Sequence, residues 1–151
     1  MSIFNSINTS ASALTAQRLR MDVVSSNIAN AETTRATINE DGQYEAYRRK
    51  LVTLEEQGTR FGSFLDKASG TSSARNAGVK VSAITEDDAP FKVVYNPNHP
   101  DANEAGYVEM PNVDPLQEMV DLMSATRSYE ANITSLNASK SMLMKALEIG
   151  K

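Results

Sequence analysis

DPLQEMVDLMSATRSYEANITSLNASKSMLMKALEIG, residues Asp114–Gly150, is the stretch on which the reading of the fold turns. Asp114 is placed to cap a helix, Pro115 to open it, and Gln117 to take the third position of a capping box. Leu122, Tyr129, Leu136 and Leu143 then recur at every seventh position, interleaved with Met119, Thr126, Ile133, Lys140 and Leu147. No Gly or Pro interrupts the run before Gly150, so it predicts one helix about 50 Å long. A stripe of this kind suits coiled-coil packing and cannot be buried by the helix alone.

A second stripe lies at the other end of the chain. Ile7, Leu14, Met21 and Ile28 repeat every seventh residue, with Ile3, Ser10, Gln17, Val24 and Ala31 at the complementary offset. The pattern predicts a helix from residue 4 to about 32. Ser6, Asn8, Thr9, Ser10 and Ser12 make its first third a poor helix former in isolation. Asn27 and Asn30 suit its end, and Thr33-Thr34 favour extended chain.

Between the helices the periodicity changes. Asp41-Gly42 is a hairpin-turn signal, followed by an alternating series, Tyr44, Ala46, Arg48, Lys50, Val52 and Leu54. Val79, Val81 and Ala83 also alternate, Phe91–Tyr95 is a short apolar run, and Tyr107–Met110 reads as a further strand. Ala68–Ala74 is small and polar and reads as a flexible loop. Asn96-Pro97-Asn98-His99-Pro100 cannot form regular structure. The expected architecture is therefore α+β. Residues 1–34 form an N-terminal assembly helix. Residues 35–113 form a β-rich insert with a flexible loop near 68–78, and residues 114–151 form a C-terminal assembly helix.

Composition narrows the function. The chain has 151 residues, a net charge of −4 and only 6% aromatic residues without Trp, so the core is thin and order depends on helix contacts. The acidic balance argues against nucleic acid, and Arg48-Arg49-Lys50 is expected on a solvated strand face. There is no cysteine, which excludes disulfides and thiolate metal sites. No apolar stretch reaches the roughly 18 residues of a membrane span, so no membrane insertion is expected. Met1–Ser6 carries no positive charge and no apolar run, and so does not read as a cleaved signal peptide.

No catalytic or cofactor pattern emerges. His99 is the single histidine. Asp101, Glu104 and Glu109 near it match no metal loop, and no serine sits in a nucleophile elbow. Glu86-Asp87-Asp88 reads as a solvated turn, and no glycine loop is built to cradle phosphate. Neither enzyme nor cofactor is expected. Met119, Met123, Met142 and Met144 suit packing at a subunit interface. The assembly interface is expected to involve Ile7, Leu14, Met21, Val24, Ile28, Met119, Leu122, Tyr129, Ile133, Leu136, Leu143 and Leu147.

The terminal segments resemble those of the bacterial flagellar rod and hook axial proteins. At the N-terminal end the likeness lies in Ser10–Arg18 and in Asn27-Ile28-Ala29-Asn30-Ala31-Glu32-Thr33-Thr34-Arg35. At the C-terminal end it lies in Gly106-Tyr107-Val108, Pro111-Asn112-Val113-Asp114, Glu118-Met119-Val120, Arg127-Ser128-Tyr129-Glu130-Ala131-Asn132 and Lys140-Ser141-Met142. Asn96-Pro97 and His99-Pro100-Asp101-Ala102 match as well. The motif positions are Asn27, Ala29, Asn30, Pro111, Asn112, Arg127, Tyr129, Ala131, Asn132 and Lys140. Thr33-Thr34-Arg35, in place of the Thr-Pro-Gly-Tyr ending of hook and distal-rod relatives, favours the proximal-rod branch. The resemblance implies a structural subunit of the proximal rod in the basal body, transmitting torque from motor to hook. Export would occur through the flagellar export apparatus without cleavage. The partners implied are other copies of the chain, the related rod protein FlgB and the adaptor FliE. The residues alone also permit a secreted helical-hairpin binding protein, an effector or adhesin, with the β insert as its partner site.

Overall fold

A computed structural model describes residues 3–39, 42–57, 68 and 78–149. Among these residues, helix α1 (Ile3–Ala29) and helix α2 (Pro115–Ile149) flank six short strands: β1 (Thr37–Ile38), β2 (Tyr44–Glu45), β3 (Lys50–Glu56), β4 (Val79–Glu86), β5 (Lys92–Tyr95) and β6 (Tyr107–Met110). The strands do not merge into one sheet; they pair as three separate ribbons, β1–β2, β3–β4 and β5–β6. This is an α+β protein in which long helices carry most of the regular structure.

Local chemistry explains the elements. The Asp114 carboxylate accepts the Leu116 N–H at 3.0 Å, satisfying one free donor at the start of α2. Helix α1 ends three residues earlier than the stripe predicts. Asn30 and Ala31 continue in a turn, their N–H groups bonded to the carbonyls of Ser26 and Ile28. Thr33 and Thr34 enter a bend and do not extend into a strand. The Asp-Gly signal does mark a hairpin, with Gly42 at φ +76° and Asn39 bonded back to Gln43 between β1 and β2. Strands β5 and β6 pair antiparallel with Val94 opposite Val108 and Tyr95 opposite Tyr107. The 96–106 connection turns at Gly106, φ +81°, where a Cβ would meet Tyr95 at 2.9 Å. The expected loop at 68–74 lies, apart from Ala68, outside the described residues, as do Asp41 and Gly150.

The alternation expected from Tyr44 to Leu54 breaks at 46–49. Ala46 and Tyr47 are consecutive and both buried, which no strand with one wet face allows. The Tyr47 N–H there bonds to the Thr33 carbonyl, the Arg49 carbonyl accepts the Asp87 N–H, and the Arg49 N–H bonds to the Asn112 side chain.

By contacts the chain forms two units. One comprises the described parts of Met1–Arg20, Thr53–Ala83 and Ser124–Lys151; the other comprises Met21–Val52 and Ile84–Met123. In the first, Ala16, Ala125 and Ser139 are buried, and Ser12 Oγ accepts the Val79 N–H at 3.1 Å. In the second, the core consists of Val23, Val24, Ala46, Tyr47, Val108, Pro111 and Val113 around a set of buried polar groups.

Candidate assembly interface

The second unit is organised on Asn27. Its Nδ2 donates to the Lys50 carbonyl at 2.9 Å and to Glu118 Oε2 at 3.0 Å. Its Oδ1 accepts the Tyr47 hydroxyl and the Lys50 N–H, each at 3.0 Å. Two donors and two acceptor positions are all used, which is the full capacity of a carboxamide. Glu118 is 1% exposed, and its other oxygen receives both Nε and Nη2 of Arg49 at 2.6 Å. Asp87 and Asp121 lie 3.6 Å from the same guanidinium. Asn112 completes the set: its Oδ1 accepts the Arg49 N–H at 2.8 Å, and its Nδ2 donates to the Ala89 carbonyl at 3.1 Å.

This corrects the expectation for Arg48-Arg49-Lys50, which is not a solvated face. Arg49 is 17% exposed and neutralises a buried carboxylate. Arg48 bonds Glu45 and lies over the Phe91 ring at 4.5 Å. Cations placed where a carboxylate must be buried are worth more than their exposed counterparts, because removing one leaves the other unpaired. The reading of Asp87 shifts similarly, since it faces Arg49 as well as capping Ala89.

A second polar cluster ties the segment after α1 to the 96–101 turn. Arg35 pairs with Asp101 Oδ1, and the Thr34 hydroxyl donates to Oδ2 at 2.8 Å. These two hydrogen bonds, Arg35 first, hold the Asp101 carboxyl below the ordinary value of 3.8, and the bond to Asp101 pushes the Arg35 guanidinium up. His99 Nδ1 accepts the Asp101 N–H at 3.1 Å. Among the described residues, no group of His, Asp and Glu is arranged to hold a metal ion, and no helix is long and apolar enough to cross a membrane.

The helices carry the surfaces that matter for assembly. Along α2, Glu118, Ala125 and Ser139 are buried and Asn132 half-buried, while Leu122, Tyr129, Leu136 and Leu143 are half-buried. These residues alternate at spacings of four and three and form the inward seam. The row facing inward beside the leucines is therefore small or polar. The large residues at the other offset point away from it: Met119, Ile133 and Leu147 are exposed, Leu147 at 74%, and so is Lys140. Thr126 is half-buried. Leu116, Val120, Met123, Met142 and Met144 are also exposed.

On α1, Val24 is buried, and Ile7, Leu14, Met21 and Ile28 are half-buried at the margin of a face centred on Ala16, Val23 and Asn27. Opposite lies a fully exposed row at spacings of four and three: Phe4, Asn8, Ala11, Thr15, Arg18, Asp22, Ser25 and Ala29.

The family profile described as flagella basal body rod protein matches residues 7–37, and that described as flagellar basal body rod FlgEFG protein C-terminal matches residues 104–149. The flagellar basal-body rod protein FlgC of Bacillus subtilis is 63% identical over the full length of both chains. The chain belongs to the FlgC family of flagellar basal-body rod proteins. FlgC of Borreliella burgdorferi is 43% identical over 99% of this chain and 98% of its own, and that of Salmonella typhimurium 43% over all of both.

Within the chain the motif positions divide into three groups. Asn27 and Pro111 are fully buried and Asn112 half-buried, the two asparagines serving as hydrogen-bond hubs. Asn30 caps locally, donating to the Ser26 carbonyl and accepting from the Thr33 hydroxyl. Asn132 bonds back to the Ser128 carbonyl, and Tyr129 lies half-buried in the seam. Ala29, Arg127, Ala131 and Lys140 are exposed. Sequence reading did not single out Arg49, Tyr47 or Glu118 as a unit. No local signal announced it, because Glu118 lies off the stripe of Met119, Leu122 and Thr126 and its burial demands a cation from elsewhere in the chain.

Proposed function

We propose that the chain is a structural subunit of the flagellar rod that polymerises through its two terminal helices and catalyses no reaction. Its place is the basal body, which it reaches through the flagellar export apparatus. Its neighbours are further copies of itself and other rod components, FlgB and FliE among them. The observation carrying this reading is the exposed row of large apolar residues on α2, present in a chain of the FlgC family. Water-exposed apolar patches of this kind mark interaction surfaces, and covering each Met, Ile or Leu contributes roughly 1.5–3 kcal/mol. A contact between unlike faces that does not close on itself propagates as a helical tube. The ion-paired and hydrogen-bonded roles of His99, Asp101, Glu118 and Arg49 account for the titratable clusters without assigning them chemistry.

Leu136→Asp places a charge in the seam and is expected to abolish rod formation and motility. Met123→Asp changes a side chain that the single chain leaves exposed, so it is expected to do the same without altering the circular dichroism of the isolated protein. Electron micrographs of normal basal bodies built from either variant would overturn the assembly role.

A further inference from the structure

The exposed faces of α1 and α2 complement each other in one register. The α1 row is Phe4, Asn8, Ala11, Thr15, Arg18, then Asp22, Ser25 and Ala29, mostly small side chains around a pair of opposite charges. The α2 row is Met119, Met123, Thr126, Glu130, Ile133, Asn137, Lys140 and Met144, with large apolar side chains at half of its positions; Thr126 is half-buried and the others are exposed. Run antiparallel, the two rows keep step, because both advance by alternating four and three residues.

In the first unit this alignment sets Arg18 against Glu130 and Thr15 against Ile133. Phe4 then meets Met144. Arg18 and Glu130 are both exposed, and neither forms an ion pair among the described residues, although both belong to the same unit. The same register applied to the second unit sets Ser25 against Met123 and Ala29 against Met119. Run parallel from the same Arg18–Glu130 pair, the rows fall out of step, one advancing four residues where the other advances three. Small residues opposite large ones let two helices approach and interlock. Charges at the margins of such a seam fix direction and register more than they add affinity.

We infer that the outer face of α1 in one copy docks antiparallel on the outer face of α2 in a second copy, with Arg18 paired to Glu130 and Thr15 facing Ile133. The occupant is a copy of this chain because one sequence carries both halves of the fit. The inference rests on the assembly reading above and specifies its geometry.

The absence of cysteine from the chain makes the test direct. Cells would express two versions together, one with Thr15→Cys and the other with Ile133→Cys, and basal bodies would be isolated and oxidised. A disulfide needs its Cα atoms within about 7 Å, so a bond joining the two versions is expected only if these positions face each other across copies. Thr15→Cys combined with Glu109→Cys should give none. In parallel, Arg18→Glu alone and Glu130→Arg alone should each impair rod assembly, and the two together should restore it. Both positions are exposed, so the isolated variants should keep the wild-type circular dichroism. Basal bodies that contain both cysteine versions yet yield no joined pair would overturn the inference, as would a double charge swap that restores nothing. If wild-type copies were absent from basal bodies, the assembly reading itself would fall.

Discussion

Asn27 bridges four groups that would otherwise be buried and unsatisfied, and its replacement is correspondingly costly. Asn27→Ala removes the hydrogen bonds to both backbone groups of Lys50, to one oxygen of Glu118 and to the Tyr47 hydroxyl, which keeps only Ser26 Oγ at 3.5 Å. At about 1–3 kcal/mol for each buried group left unpaired, the loss approaches the whole stability of a small domain. Asn27→Asp keeps the shape but turns a donor to Glu118 into a second carboxylate. It should destabilise the isolated chain at least as severely at neutral pH and less so in acid, which urea titration at two pH values would measure. Asp101 gives a second prediction at this scale. Its depressed carboxyl favours the paired state, so its contribution is fully present above the ordinary value of 3.8 and disappears as pH falls through the lower folded-state value. A carboxyl NMR titration should find Asp101 low in the wild type and back towards 3.8 in Arg35→Ala.

At the scale of elements, α2 presents two faces of opposite character. The inward seam places Ala125, fully buried, and Ser139 beside the half-buried leucines. Ala125→Leu adds three carbons where no space remains, and overpacking of this kind costs roughly 1–3 kcal/mol. Thermal unfolding should show the loss, whereas Met123→Ala on the outer face should leave the melting temperature of the isolated chain unchanged. The helices themselves were legible from the sequence, because a seven-residue repeat over four turns or more leaves little choice of structure. The phase was not. A row of leucines has one neighbouring row three residues back and another three residues on, and periodicity does not distinguish them. Size suggested Met119, Ile133 and Leu147, while close packing selects Ala125 and Ser139. The ribbon at 44–54 was misread for a related reason. Alternation describes a strand with strand neighbours, and here the amides of Asn27 and Asn112 take over the backbone of Lys50 and Arg49, bonds that no local pattern announces.

For the whole molecule, exposed apolar residues on α2 and a polar beginning to α1 imply that an isolated chain is under-stabilised at its helical ends. A dilute monomer should show less helix by circular dichroism than α1 and α2 would give when complete, and should gain helix on assembly. Cooperative melting of both helices at full length in the monomer would contradict this. The division into two contact units, each drawing on segments from both halves of the chain, also means that neither half is a self-sufficient fragment. That property could not be read from the sequence, whose pattern suggests three consecutive pieces.

The Asn27 hub has a temporal consequence. Its members are residues 27, 47, 49, 50, 112 and 118, and the carboxylate that completes it comes last. A polypeptide emerging amino end first, from a ribosome or from a secretion conduit, therefore carries its opening helix for more than half its length before the anchoring glutamate follows. Until then the arginine has no buried counter-ion and the carboxamide no complete set of ligands. The hub can close only once residue 118 has been delivered, so any shorter amino-terminal portion of the chain lacks it.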